Sequence, residues 1–195
     1  MDHRIHIEPV TPDRWDDLLA LFGPNGAYSH CWCTWWMLPA RSFDSAPADE
    51  RKAMLQALVA EGAEPGIIAY SEDEPVGWVA VGPRERYVRM MSARARVYGP
   101  LDDDEPGWVV NCFYISRPHR RRGVAGALLD GAVAFAFGRG ASHVVGHPID
   151  VKGDGPGAAA LFVGTLALFV SAGFEVVEQR GDRPVVQLDR PRSGS

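Results

Sequence analysis

A chain of 195 residues, 46% hydrophobic and 23% charged, can bury roughly 70% of its unfolded surface around one core, which excludes a disordered chain and makes one globular domain the expectation. Twenty-one glycines and 15 prolines exclude a long helical rod and predict many turns between short elements. With 20 basic against 25 acidic residues, a formal charge of −5, the chain has no general attraction to phosphate backbones; a nucleic-acid function would need a local basic patch, the one present is small, and no nucleic-acid partner is expected.

The start, Met1, Asp2, His3, Arg4, lacks a charged leader followed by an apolar core, which predicts no secretory signal and a cytoplasmic location. Cys31, Cys33 and Cys112 are an odd set and are expected as reduced thiols. Ile5–Val10 alternates as a strand; Thr11 and Pro12 then read as the cap and first turn of a helix carrying Trp15, Leu18, Leu19 and Phe22. Gly23 to Gly26 stop that helix, and an aromatic stretch runs from Tyr28 to Trp36. Ala48–Glu61 fits a second helix. Gly66–Tyr70 and Val76–Val81 read as a hairpin around the acidic turn Glu72, Asp73, Glu74, Pro75. From Pro83 to Pro106 the pattern is least regular, with arginines at 84, 86, 89, 94 and 96 and an acidic cluster at Asp102, Asp103, Asp104 and Glu105. An excursion over the core is expected there.

Trp108–Ile115 is a strand candidate, followed by an arginine loop and a helix over Gly123–Phe137. His143–Val145, Phe174–Glu178 and Val185–Leu188 complete the strands. Between them, Gly155–Phe174 carries no charge, but its early glycines and proline leave a helix from about Ala158 to Ala172, roughly 22 Å at 1.5 Å per residue, too short to span a bilayer. A buried helix covered by a sheet is the better reading, and no membrane partner is expected. The order of elements predicts a mixed α/β domain over residues 1–190, a sheet covered by helices, with 191–195 frayed.

Chemistry concentrates in Arg120, Arg121, Arg122, Gly123, Val124, Ala125, Gly126, which joins a strand to a helix start. Small residues let an anion approach the backbone, and the unpaired N–H groups of a first helical turn, with the helix dipole and the arginines, favour a diphosphate. A solvated arginine run is the bland alternative. Rival phosphate motifs fail: Gly153 to Gly157 lacks the P-loop lysine, and no G-x-G-x-x-G follows a strand.

Arg120-Arg121-Arg122-Gly123-Val124-Ala125 resembles the R/Q-x-x-G-x-G/A signature of the GCN5-related N-acetyltransferases. Leu168 to Phe174 resembles that family's helix ending in a Gly-Phe strand start, and the block near Trp32 looks like a bacterial branch of it. The resemblance covers about Ile5 to Leu188. It implies a largely antiparallel mixed sheet whose fourth and fifth strands splay apart to hold acetyl-CoA as co-substrate; no metal is expected, on the spacing of the candidate ligands. It also implies that backbone groups at Phe113, Tyr114 and Ile115 pair with the pantetheine arm, while residues 120–126 hold the pyrophosphate. The acceptor is then an amine on a small molecule or protein, and a homodimer is allowed.

Where relatives often have a tyrosine that protonates the departing thiolate, this chain has Phe169. Water, Ser171 or Tyr114 is left as the acid, or the acid is dispensable, because a thiolate with a pKa of about 8.5 is already a tolerable leaving group. Asn111 offers no carboxylate on the fourth strand, so His147 and Asp150, beside Pro148, become the base candidates; a turn-capping Asp and a solvated His are the alternative. Trp32, Trp35 and Trp36 suit an acceptor wall or the core. His30, Cys31 and Cys33 have too few ligands at the right spacing for zinc. The missing tyrosine and carboxylate leave one rival activity, an acetyl-CoA-binding sensor or interaction module with little turnover.

Overall fold

The computed structural model describes residues 5–90, 106–151 and 162–191. The acidic cluster 102–105 and the expected helix start at Ala158 fall outside them, as does the tail from 192. Seven strands form one sheet in the order β1-β2-β3-β4-β5-β7-β6: β1 (Ile5–Pro9), β2 (Gly66–Ser71), β3 (Glu74–Pro83), β4 (Gly107–Ile115), β5 (His143–Gly146), β6 (Glu175–Glu178) and β7 (Val185–Asp189). All neighbours are antiparallel except β4 and β5, which matches the mixed, largely antiparallel sheet expected from the sequence.

Local chemistry explains the elements. The β2–β3 hairpin turns at Glu72 and Asp73, whose φ values of +50° and +67° are those of a two-residue turn that follows the strand twist. Helices are α1 (Trp15–Phe22), α2 (Ala40–Ser45), α3 (Ala48–Ala60), α4 (Val124–Gly138) and α5 (Leu166–Ser171). Thr11 does not cap α1: Pro12–Arg14 forms a 3-10 turn first, and the Thr11 hydroxyl accepts from Arg14 Nη1 at 3.0 Å. The second correction concerns the uncharged helix expected from about Ala158 to Ala172: among the described residues the α-helix covers only Leu166–Ser171, after Gly164 at φ +80°, and Thr165 caps its start by accepting the Leu168 N–H on Oγ1 at 3.2 Å. α2 had no apolar periodicity to announce it.

Each face of the sheet carries its own core. α4 lays Leu128, Leu129, Ala132 and Ala136 on Val76, Val79, Val110 and Val144, close enough that a Cβ on Gly77 would stand 2.8 Å from Val124 Cγ1. The opposite face packs Leu18, Phe22, Trp32, Trp36 and Leu55 on Ile68, Trp78, Val109 and Cys112. Among the described residues no helix is long and apolar enough to cross a membrane.

Candidate active site

β4 pairs with β5 only from Gly107↔His143 to Val110↔Gly146. On its other side it continues with β3 as far as Ile115↔Gly77. Residues 111–115 therefore present a β5-facing edge without a strand partner among the described residues, in the gap the splayed strands were expected to leave. At this point β4 bulges: its register with β3 shifts between Trp78 and Ala80, and Cys112 takes φ +54°. A non-glycine residue rarely holds that conformation, and such strain gathers at functional sites.

Below the gap, Phe169 is fully buried, edge-on to Phe113 and Phe174 with centroids 6.1 and 5.0 Å away. Phe113 lies on the α4 face with Ile115, whereas Tyr114 points to the other face, edge-on to Phe22 at 5.7 Å. The strand thus divides the expected cofactor residues between its two faces while its backbone edge stays open.

β4 runs into a 3-10 turn at Arg117–His119 and then the arginine loop. Arg120 Nε donates to the Ile115 carbonyl at 3.1 Å, while Arg121 and Arg122 are exposed. Gly123 adopts φ +79° as the residue before α4, and no side chain caps the helix. Ala127 N–H is bonded to Gly123 O, but the N–H groups of 121–126 make no backbone hydrogen bond among the described residues. A Cβ added at Gly123 or Gly126 would meet nothing within 4 Å. Open space, unpaired donors and arginine charge together form a cradle for a diphosphate, so the residues present fit the CoA moiety.

Beyond β5 the chain stays close. Ile149 N–H donates to Gly164 O at 3.0 Å, and Asp150 N–H donates to Asp182 O at 2.8 Å. Asp150 is half-buried. His147 is not a solvated histidine: it is 6% exposed, and burial, reinforced by Arg180, pushes its pKa down to about 3. An imidazole of such low proton affinity is a weak base.

The aromatic block splits. Trp32 is 6% exposed, tilted against Phe22 at 5.8 Å with its indole under Gly26, where a Cβ would meet Trp32 Cδ1 at 2.9 Å. It is a core residue here, so the acceptor-wall expectation passes to Trp35, which is half-buried beneath the Arg89 guanidinium at 3.8 Å. Neighbouring Cys33 and burial push the Cys112 thiol well up, and Cys31 is pushed up to about 11 by burial and by Cys33. No group of His, Cys, Asp or Glu among the described residues is arranged to hold a metal.

Asn111, read from the sequence only as a missing carboxylate, is 1% exposed, and neither of its amide atoms has a hydrogen-bond partner among the described residues. The signal available was an amide set inside the apolar run Val109-Val110-Asn111-Cys112-Phe113, where strands disfavour asparagine.

The family model for the acetyltransferase (GNAT) family matches residues 30–162. The chain belongs to that family. Its sheet is the GNAT fold, and the activity of the family is acetyl transfer. An N-acetyltransferase from Staphylococcus aureus Mu50 superposes with a TM-score of 0.54 at 15% identity, over 95% of this chain and 98% of that one. The PaiA N-acetyltransferase from Thermoplasma acidophilum, solved in complex with coenzyme A, gives 0.52 at 10% identity, over 96% and 99%. At 14% identity and a TM-score of 0.49, a GCN5-related N-acetyltransferase from Kribbella flavida matches 90% of this chain, which spans 34% of that longer protein. The two superpositions at 0.54 and 0.52 show a shared fold. No curated protein matches the sequence significantly.

Proposed function

We propose that this GNAT protein transfers an acetyl group from acetyl-CoA directly to a primary amine, in the gap between β4 and β5. The observation that carries the reading is the continuity of the open β4 edge at 111–115 with the unpaired N–H groups of 121–126. Bound acetyl-CoA supplies an activated acyl group as a thioester. Phe113, Tyr114 and Ile115 offer backbone donors and acceptors to an extended amide-bearing arm, and a fixed N–H of this edge stabilises charge developing on an acyl oxygen. Arg121, Arg122, Gly123, Val124, Ala125 and Gly126 hold the diphosphate, with Arg120 tying the loop back to Ile115.

The amine nitrogen bonds to the acyl carbon as the carbon–sulfur bond breaks. One amine proton passes to Asp150, directly or through water, and the departing thiolate takes a proton from water or Tyr114. His147, neutral at pH 7, is the secondary base. Trp35 lines the acceptor side. The odd number of cysteines supports a reducing, cytoplasmic setting.

Calorimetry with acetyl-CoA, followed by thiol release over small amines, protein N-termini and lysine peptides with product masses measured, tests the reading. Binding and an acetylated product are expected. Absence of binding overturns the cofactor site; tight binding without thiol release on any amine replaces transfer with the sensor role.

A further inference from the structure

Asn111 stands one residue beyond Val110, the last β4 residue paired with β5. Its side chain is 1% exposed, and neither Oδ1 nor Nδ2 has a hydrogen-bond partner among the described residues. Buried amides are otherwise almost always satisfied, because leaving one unpaired forfeits its hydration with nothing in return. The next residue, Cys112, holds φ +54° where the register with β3 slips, so an unsatisfied donor and backbone strain coincide at the mouth of the gap. Strain and unpaired polarity persist together where a ligand relieves them.

We infer that Asn111 is a substrate-contacting residue, its Nδ2–H donating to the carbonyl oxygen of the bound acyl group. This rests on the acetyl-CoA reading of the gap. A neutral amide cannot remove a proton, so its contribution is to hold and polarise the carbonyl, and it gives the site a means of distinguishing an acylated thiol from a free one. Sequence reasoning treats position 111 as chemically silent; the structure gives it the one fully buried side-chain amide beside the open edge among the described residues.

The test uses the full chain and two variants, Asn111→Leu and Asn111→Asp. Melting is followed without ligand, and affinities for acetyl-CoA and for CoA are measured by calorimetry. Removing an unpaired amide should raise the Asn111→Leu melting temperature by about 2–4 °C. The ratio of acetyl-CoA to CoA affinity should fall about threefold to tenfold in the same variant, with CoA affinity unchanged. Asn111→Asp, close in shape but without the donor, should lose the same ratio and decides the question if the leucine variant does not fold. A lower melting temperature with the ratio intact makes Asn111 a structural residue, and a higher one with the ratio intact removes the carbonyl contact; either overturns the inference while wild-type binding keeps the cofactor site. Failure of the wild type to bind either compound overturns both.

Discussion

Phe169 stands edge-on to Phe113, planes at 87° and centroids 6.1 Å apart, and its ring occupies the space that a side chain at position 146 would need. Cζ of Phe169 would lie 2.8 Å from a Cβ on Gly146, and Cε2 equally far from one on Gly164. The two glycines and the buried ring are thus one packing unit at the point where β5 ends.

That unit predicts a coupling. Gly146→Ala should destabilise the protein by about 1–3 kcal/mol, because its methyl overpacks against the ring. Phe169→Leu should also cost about 1–3 kcal/mol, through lost contacts and a partial cavity. Combined, they should cost at least ~1 kcal/mol less than their sum, since the smaller side chain makes room for the methyl. Urea unfolding of the three variants measures this; strict additivity would show that the residues do not share the space.

The two loop glycines should respond in opposite ways. Gly126 lies inside α4, and a Cβ there meets nothing, so Gly126→Ala should stabilise the helix by about 0.5–1 kcal/mol. Gly123 sits at φ +79°, so Gly123→Ala should cost about 1–2 kcal/mol through the left-handed conformation. Both should weaken acetyl-CoA binding, because each methyl enters the space through which a diphosphate reaches the backbone. Thermal melts beside calorimetry separate the effects: a Gly126→Ala protein that melts higher and binds as well as wild type would move the diphosphate elsewhere.

Signals for the strands and for α4 were local, and so they were legible. Alternation marks β1, the acidic turn marks the β2–β3 hairpin, and a glycine after three arginines marks the start of α4 with its φ above zero. What escaped depends on contacts far along the chain. Nothing near His147 says that the ring is buried beside Arg180, and nothing near Trp32 says that Gly26 leaves room for its indole. The bulge at Cys112 arises from pairing with β3, so the isolation of the Asn111 amide is a tertiary fact. α2, six residues long, is too short to show a helical period.

His147 should make the fold acid-sensitive. Its folded pKa is depressed to about 3, below the unfolded value of about 6.5, so the unfolded chain binds the proton first. Stability from the neutral ring is therefore complete above pH ~6.5 and is lost as pH falls from there towards 3, by an amount on the order of a few kcal/mol. His147→Gln, neutral throughout, should flatten that part of the melting-temperature profile. An unchanged profile between pH 6.5 and 4 would show that the imidazole is not buried in its neutral form.

Arg120 should differ from the two arginines after it, although all three belong to one signature. All three are exposed, but Arg120 Nε holds the Ile115 carbonyl at 3.1 Å and so braces the loop against β4, whereas in the proposed site Arg121 and Arg122 would act on a diphosphate through charge alone. Raising ionic strength from about 0.01 to 1 M shortens the screening length from roughly 30 to 3 Å. Changing both Arg121 and Arg122 to alanine should weaken acetyl-CoA binding about tenfold at low salt, a loss of ~1.4 kcal/mol, and far less at high salt. Arg120→Ala should keep part of its loss at 1 M, because the missing brace is not screened. Calorimetry at the two ionic strengths decides between these roles: a salt-independent loss in the double variant would make Arg121 and Arg122 packing residues, and a fully salt-screened loss at Arg120 would remove its link to Ile115 as the cause.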